Sequence, residues 1–188
     1  MIEVRFHGRG GQGAVIASEV LAQAAFLEGR QPQSFPFFGV ERRGAPVTAY
    51  TRIDDVPIRV RTAVTAPDIV VVMDPGLLRA VDVTAGLKPK GLLFVNAEAL
   101  PASLPRDPSV RVAIVDATRI ALAHGLGTRS VPIVNTAILG GLVRASRIVS
   151  VESLLAAIRR FVPARPEDNA AAAKEAYEKV KSPLEVTA

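Results

Sequence analysis

Near the N-terminus, four glycines fall within seven residues, in the stretch His7-Gly8-Arg9-Gly10-Gly11-Gln12-Gly13. The preceding residues 1–6 alternate between apolar and polar side chains, which is typical of a strand. The following residues 14–27 place apolar side chains at helical spacing, which predicts a helix. The glycines therefore connect a strand to a helix, and three of them match the spacing G-x-G-x-x-G of dinucleotide-binding loops.

This loop is predicted to bind an anion. Glycine allows the backbone to turn tightly and to approach a ligand closely. The N–H groups and the positive dipole of a helix N-terminus attract phosphate. Because Arg and Gln side chains supply further donors, the whole loop is a candidate cofactor-binding site, made of Gly8, Arg9, Gly10, Gly11, Gln12 and Gly13. The alternative is a tight turn that only packs the helix against the strand.

A pair of arginines follows the next predicted strand, residues 31–38. Arg42 and Arg43 stand close to glycines on both sides, and the guanidinium fork matches the oxygens of a phosphate group. We predict that both arginines bind phosphate; a solvated surface turn is the alternative. A dinucleotide-binding fold places an acidic residue at the end of this strand, and residues 31–38 contain none. That absence argues against NAD, although it does not exclude NADP.

The rest of the chain predicts a single three-layer α/β domain over residues 1–188, with a mixed, mostly parallel sheet. The predicted further strands are 46–53, its hairpin partner 56–60, 68–74, 91–96 and 110–115. The predicted further helices are 118–124, 135–143 capped by Asn135, one capped by Ser150, and 166–181. The C-terminal helices, about 150–181, are expected to pack on the domain. Asp74 is interpreted as a turn or cap residue, with the alternative that it faces the site.

Composition narrows the classes of function. The 188 residues carry 23 basic and 18 acidic side chains, so the net charge of +5 favours anionic partners only in general. The chain has no aromatic-rich basic face, which argues against nucleic acid. With no cysteine and two distant histidines, it predicts no metal site, no disulfide and no cysteine-bound iron–sulfur cluster. No signal peptide and no membrane-spanning stretch are recognisable, so a cytoplasmic protein is expected.

Three motifs resemble those of one family, the gamma subunits of 2-oxoacid:ferredoxin oxidoreductases. They are residues 7–14 (HGRGGQGA), 38–47 (FGVERRGAPV) and 67–75, where Pro-Asp leads to Asp-Pro. The opening His-Gly-Arg and the later Glu-Arg-Arg-Gly-Ala-Pro look like the pyruvate or ketoisovalerate branch. The resemblance extends to about Val149, and the two loop motifs carry most of its specificity.

The resemblance implies a subunit of a hetero-oligomeric enzyme of the EC 1.2.7 type. The full enzyme decarboxylates a 2-oxoacid, here expected to be pyruvate, on thiamine diphosphate. It passes electrons through iron–sulfur clusters to ferredoxin and transfers the acyl group to coenzyme A, which yields acyl-CoA and CO2. Partner subunits of alpha, beta and delta type hold thiamine diphosphate and the clusters. The gamma subunit helps to bind coenzyme A, supplies no catalytic residue and is inactive alone.

Coenzyme A fits both the predicted phosphate-binding residues and the resemblance, because it carries a pyrophosphate and a 3′-phosphate. The glycine-rich loop suits the pyrophosphate, and Arg42 with Arg43 suits the 3′-phosphate. Two alternatives remain open: a free-standing NADP-binding reductase, and a purely structural assembly subunit whose loop binds nothing.

Overall fold

The computed structural model describes residues 1–37, 44–104 and 107–184, which form one seven-stranded sheet, a small two-stranded sheet and the helices around them. The large sheet contains β1 (Ile2–Arg9), β2 (Gln31–Phe37), β3 (Pro46–Asp54), β4 (Ile69–Val72), β5 (Leu92–Asn96), β6 (Arg111–Val115) and β9 (Lys181–Leu184). The small sheet consists of β7 (Gly127–Thr128) and β8 (Val131–Pro132). The helices are α1 (Ala14–Leu27), α2 (Leu77–Ala80), α3 (Ala117–Ala123), α4 (Asn135–Ser146), α5 (Val151–Phe161) and α6 (Pro166–Lys179).

The large sheet has the strand order β2-β3-β1-β4-β5-β6-β9. Its centre is parallel, with β1, β4, β5 and β6 side by side, for example Val4 opposite Ile69. The remaining strands, β2 and β3 on one side and β9 on the other, pair antiparallel. The predicted mixed α/β sheet is therefore confirmed.

The apolar runs that predicted the central strands fill two cores, one on each face of the sheet. All four residues of β4 and all five of β5 are buried, as expected of strands covered on both faces. One face packs against α1 and the helices from α3 to α6. The other is covered by Leu77 of α2 and by Val83 and Leu104 of irregular segments. Sheet and coverings thus make three layers, with the long helices on one side.

The hairpin predicted between residues 46–53 and 56–60 is wrong. β3 already has β1 on one side and β2 on the other, so it offers no edge to a further strand. Residues 57–61 are irregular and are held by the buried guanidinium of Arg52, which donates to the carbonyl oxygens of Val60 (3.4 Å) and Thr62 (2.8 Å). The same guanidinium pairs with Glu3 at 2.9 Å.

Two predictions about helix ends need correction. α4 begins after Val134, and the Asn135 side chain accepts from the N–H of Thr136 instead of capping the helix. The last helix ends at Lys179 and is followed by β9, which the sequence did not predict. The backbone of Val180 is extended, with ψ of 138°, so the chain leaves the helix at this residue and joins β6 as β9.

The predicted cap of α5 is confirmed. Ser150 caps α5, since its hydroxyl oxygen accepts from the N–H of Ser153 at 3.1 Å. Close packing of α4 against α6 depends on Gly140, because a Cβ there would collide with the carbonyl oxygen of Ala173 in α6. Of the helices in the described ranges, none has both the length and the apolar character to cross a membrane.

Candidate functional site

The glycine-rich loop connects β1 to α1, as predicted. β1 runs to Arg9, so Gly8 lies within the strand, and a Cβ there would stand 3.1 Å from the Cβ of Ala14. Gly11 and Gly13 have φ of 99° and 81°, a conformation that side-chain-bearing residues rarely adopt. Glycine at these two positions is therefore required by the backbone, whether or not a ligand binds.

The side chains of Arg9 and Gln12 face a carboxylate. Arg9 Nε donates to Asp74 Oδ2 at 2.8 Å, and Gln12 Nε2 approaches the same oxygen at 3.4 Å. Gln12 Oε1 in turn accepts from the N–H of Arg9 at 2.8 Å. Asp74 therefore already compensates part of the positive charge of Arg9, which the sequence predicted to face an anion. The same contacts hold the loop against the end of β4.

Asp74 combines both roles that its position suggested. Its Oδ1 accepts from the N–H of Gly76 at 2.8 Å, which makes it a turn residue ahead of α2. Its Oδ2 holds Arg9, so it also faces the loop. Sequence reasoning left the pairing of Arg9 with Asp74 unrecognised, because the two residues stand 65 positions apart.

The other wall of the site comes from the segment before β3. The N–H of Gly10 donates to the carbonyl oxygen of Ala45 at 2.9 Å, and the N–H of Gly44 donates to that of Gly10 at 3.2 Å. Arg9 Nη1 also donates to the carbonyl oxygen of Gly44, at 3.2 Å. The predicted phosphate ligands Arg42 and Arg43 lie outside the described residues. Gly44, which follows them, is hydrogen-bonded to the glycine loop.

These segments enclose an open pocket of about 250 Å³ at the carboxyl ends of β1 and β4. Its lining comprises Arg9, Gly10, Gly11, Gln12, Gly44, Asp74, Ser130, Val131 and Pro132. The last three belong to the turn and strand of the small β7–β8 sheet, which the sequence did not predict. Sites for whole cofactors occupy about 300–1,000 Å³, so this pocket suits one part of a larger ligand, such as a pyrophosphate.

A polar pair on β1, the buried Arg5 and the half-buried His7, lies next to the loop. Arg5 Nε donates to His7 Nε2 at 3.0 Å, which places the imidazole proton on Nδ1. Burial, assisted by the charge of Arg5, lowers the pKa of His7 to about 4. Burial also lowers the pKa of Arg5, whose guanidinium donates to the carbonyl oxygens of Val83 and Ala85. His7 is therefore neutral at pH 7 and adds no charge to the site. The alternation of Glu3, Arg5 and His7 along β1 is the signal that could have revealed this polar row.

The family model for pyruvate ferredoxin/flavodoxin oxidoreductase matches residues 3–179. The chain belongs to this family. It is 58% identical over 186 residues to the pyruvate/ketoisovalerate oxidoreductases common subunit gamma of Pyrococcus furiosus, covering 96% of this chain and 98% of that protein. It is 52% identical over 182 residues to pyruvate synthase subunit PorC of Methanothermobacter marburgensis, with coverage of 96% and 98%.

Solved structures agree with this assignment. The pyruvate oxidoreductase subunit PORC of Thermotoga maritima superposes with a TM-score of 0.79 at 38% identity, covering 96% of this chain and 97% of that one. The 2-oxoglutarate:ferredoxin oxidoreductase of Magnetococcus marinus, solved with 2-oxoglutarate, coenzyme A and succinyl-CoA, has a TM-score of 0.70 at 18% identity. This chain aligns over 94% of its own length with 30% of that larger one, which shows the shared fold alone. The predicted gamma-type subunit of an oxidoreductase is confirmed.

Proposed function

We propose that this chain, as one gamma-type domain, helps to bind coenzyme A in a multisubunit pyruvate:ferredoxin oxidoreductase that converts a 2-oxoacid to acyl-CoA and CO2. The observation that carries the proposal is the pocket between the glycine loop and Gly44. It lies at the carboxyl ends of β1 and β4 and beside the N-terminus of α1. Ligands of open α/β sheets bind at this end of the strands, and helix N-termini attract phosphate.

The pyrophosphate of coenzyme A fits the size and the chemistry of this pocket. A guanidinium has five N–H donors, and within the described residues Arg9 uses two of them on Asp74 and Gly44. The remaining N–H donors of Arg9 can bind a phosphate, while Asp74 fixes the orientation of the guanidinium. Because Asp74 also reduces the local charge, we expect tight binding only when further cations contribute.

Arg42 and Arg43 are the proposed source of those cations. The hydrogen bond from the N–H of Gly44 to Gly10, and that from the N–H of Gly10 to Ala45, hold the start of the following segment against the glycine loop. Arg42 and Arg43 directly precede Gly44 in the sequence, which supports a role for their side chains toward the same ligand. We therefore assign the 3′-phosphate of coenzyme A to Arg42 and Arg43, and the pyrophosphate to the loop.

The remaining chemistry is assigned to partner subunits. This chain contains no cysteine, so the iron–sulfur clusters that pass electrons to ferredoxin belong to other chains, and thiamine diphosphate is assigned there as well. The Pyrococcus furiosus relative is called a common subunit of pyruvate and ketoisovalerate oxidoreductases. A subunit shared in this way does not select the 2-oxoacid, and we assign that selection to alpha-, beta- and delta-type partners.

The test is steady-state kinetics of the assembled enzyme. Replacing Arg42 and Arg43 by alanine removes two charge-assisted contacts, so we expect KM for coenzyme A to rise at least about tenfold. The decarboxylation half-reaction, which precedes acyl transfer, should keep its rate. The matched control replaces Arg59 and Arg61, which are exposed on the irregular segment after β3. An unchanged KM in the Arg42/Arg43 variant would refute the proposed site.

Calorimetric titration of the isolated chain separates the alternatives. Binding of coenzyme A without NAD or NADP supports the proposal. Binding of NADP alone would instead favour a free-standing reductase. If none of the three binds, the KM comparison decides between a site completed by partner subunits and a purely structural subunit.

A further inference from the structure

A basic surface lies at the opposite end of the sheet from the glycine loop, around the amino ends of β4, β5 and β6. We call it the basal surface, and it consists of Arg30, Lys88, Lys90, Arg111, Arg144 and Arg147. Two adjoining concavities of about 360 and 510 Å³ share Arg111 and Arg147. A third, of about 530 Å³, shares Arg144 and Arg147 with the second. The surface is therefore extended and continuous rather than a single small cleft.

The charge of the basal surface is only partly compensated. Lys88 pairs with Asp68 at 2.9 Å, and Arg30 pairs with Asp55 at 3.2 Å. The other four cations are exposed, and in the described part of the chain none of them forms an ion pair: Lys90, Arg111, Arg144 and Arg147. Carboxylates line each concavity as well: Asp68 in the first, Glu178 in the second, and Glu28 with Glu152 in the third. The first and second concavities therefore have a net positive lining, whereas Arg144 and Arg147 are balanced by Glu28 and Glu152 in the third.

Two of these cations occupy backbone positions that favour glycine. Lys90 has φ of 64° and Arg147 has φ of 55°, both in the left-handed region. The N–H of Lys90 donates to the carbonyl oxygen of Ser109 at 2.8 Å, and that of Arg147 to Val143 at 2.8 Å, where it closes α4. Glycine meets both requirements with less strain. A basic residue at each position therefore costs stability, and such strain is typical of positions with a function.

We propose that the basal surface docks an acidic segment of a protein partner. Its extent exceeds what one phosphate group contacts, whereas a peptide chain with several carboxylates matches the spread of cations. Nucleic acid is disfavoured, because Tyr177, the aromatic ring in the third concavity, is half-buried and already lies under the Arg144 guanidinium at 5.3 Å. Charge complementarity of this kind sets the partner and the rate of association. The location leaves the glycine loop accessible, so partner docking and coenzyme A binding use different faces.

The experiment measures binding of a fluorescent poly-glutamate peptide to the full chain by anisotropy at low ionic strength. The test variant is Lys90→Gly with Arg147→Gly, which removes both side chains and relieves both backbones. We expect its affinity for the peptide to fall at least about tenfold while its Tm is maintained or raised. The matched control, Arg59→Gly with Arg61→Gly, removes the same charge from another surface and should lose less than about threefold.

Three outcomes would overturn the proposal. The first is failure of the unmodified chain to bind the peptide, and the second is an equal loss in the test and control variants, which would mean a general charge effect. The third is tighter binding of inorganic pyrophosphate or of a short single-stranded oligonucleotide, lost in the same test variant. Because the test variant is expected to be at least as stable as the original chain, lost affinity cannot be attributed to unfolding.

Discussion

Replacing Asp74 by asparagine tests whether the ion pair with Arg9 braces the glycine loop. Asparagine keeps the size of the side chain, and its one oxygen can still accept from the N–H of Gly76. The NH₂ group then faces Arg9 Nε and Gln12 Nε2, which are donors as well, so both bonds to Oδ2 are lost. We expect the loop to lose its connection to the end of β4 without a change in volume.

The expected loss in the free energy of unfolding depends on how far the Arg9–Asp74 pair is exposed to solvent. A hydrogen bond between charged groups contributes about 1.5–3 kcal/mol when shielded, and an exposed ion pair only about 0.2–1 kcal/mol. The side chains of Arg9 and Asp74 retain 34% and 23% of their accessibility, which lies between these limits. We therefore expect the free energy of unfolding to fall by about 1–2 kcal/mol, with Tm lower by about 2–8 °C for a chain of this size.

Urea denaturation of the purified chain measures this difference. The control is Asp107→Asn, because Asp107 accepts only from Ser109 and forms no ion pair in the described ranges, so a change below about 0.5 kcal/mol is expected. A double-mutant cycle with Arg9→Met isolates the coupling of the pair. A coupling energy near zero, or an Asp74→Asn variant as stable as the control, would refute the bracing role of Asp74.

Three further predictions concern the backbone and pH. Gly13→Ala should destabilise by about 1–2 kcal/mol, read as a lower Tm, since φ is 81° and the new Cβ would lie 2.7 Å from Asn135 Nδ2. Gly140→Ala should cost about 1–3 kcal/mol in urea denaturation, because the methyl group meets the carbonyl oxygen of Ala173. The pKa of His7, lowered from 6.5 to about 4, means that the unfolded chain binds the proton more readily. Stability should therefore fall as pH drops from 6.5 towards 4, and His7→Gln should weaken that dependence in thermal melts.

Local signals in the sequence were sufficient for the elements that surround the loop. The bounds of α1 agree with the predicted helix at both ends, because apolar spacing and glycines on either side define that helix without help from the rest of the chain. The continuous apolar runs of β4 and β5 likewise predicted buried strands. Where a segment's own residues determine its conformation, sequence patterns were reliable.

Features that depend on distant residues were not predictable in the same way. Arg9 was expected to face an anion, and only the fold brings Asp74 next to it. Residues 56–60 alternate like a strand, but β2 already occupies the edge of β3 that they would need. β9 is short, and it is a strand only because β6 offers it an edge. In each case the deciding partner is remote in sequence, and periodicity carries no information about it.

The outer strands of the large sheet limit how this subunit can assemble. β2 contains Pro32 and Pro36, and β9 contains Pro183. Proline offers no N–H to a neighbouring strand, so neither border of the sheet can readily be extended by a strand from another chain. Subunits that join this one are therefore expected to pack on its faces and loops through their side chains. Such contacts, unlike a shared backbone ladder, can be changed one residue at a time, so the same subunit can be adapted to more than one set of partners.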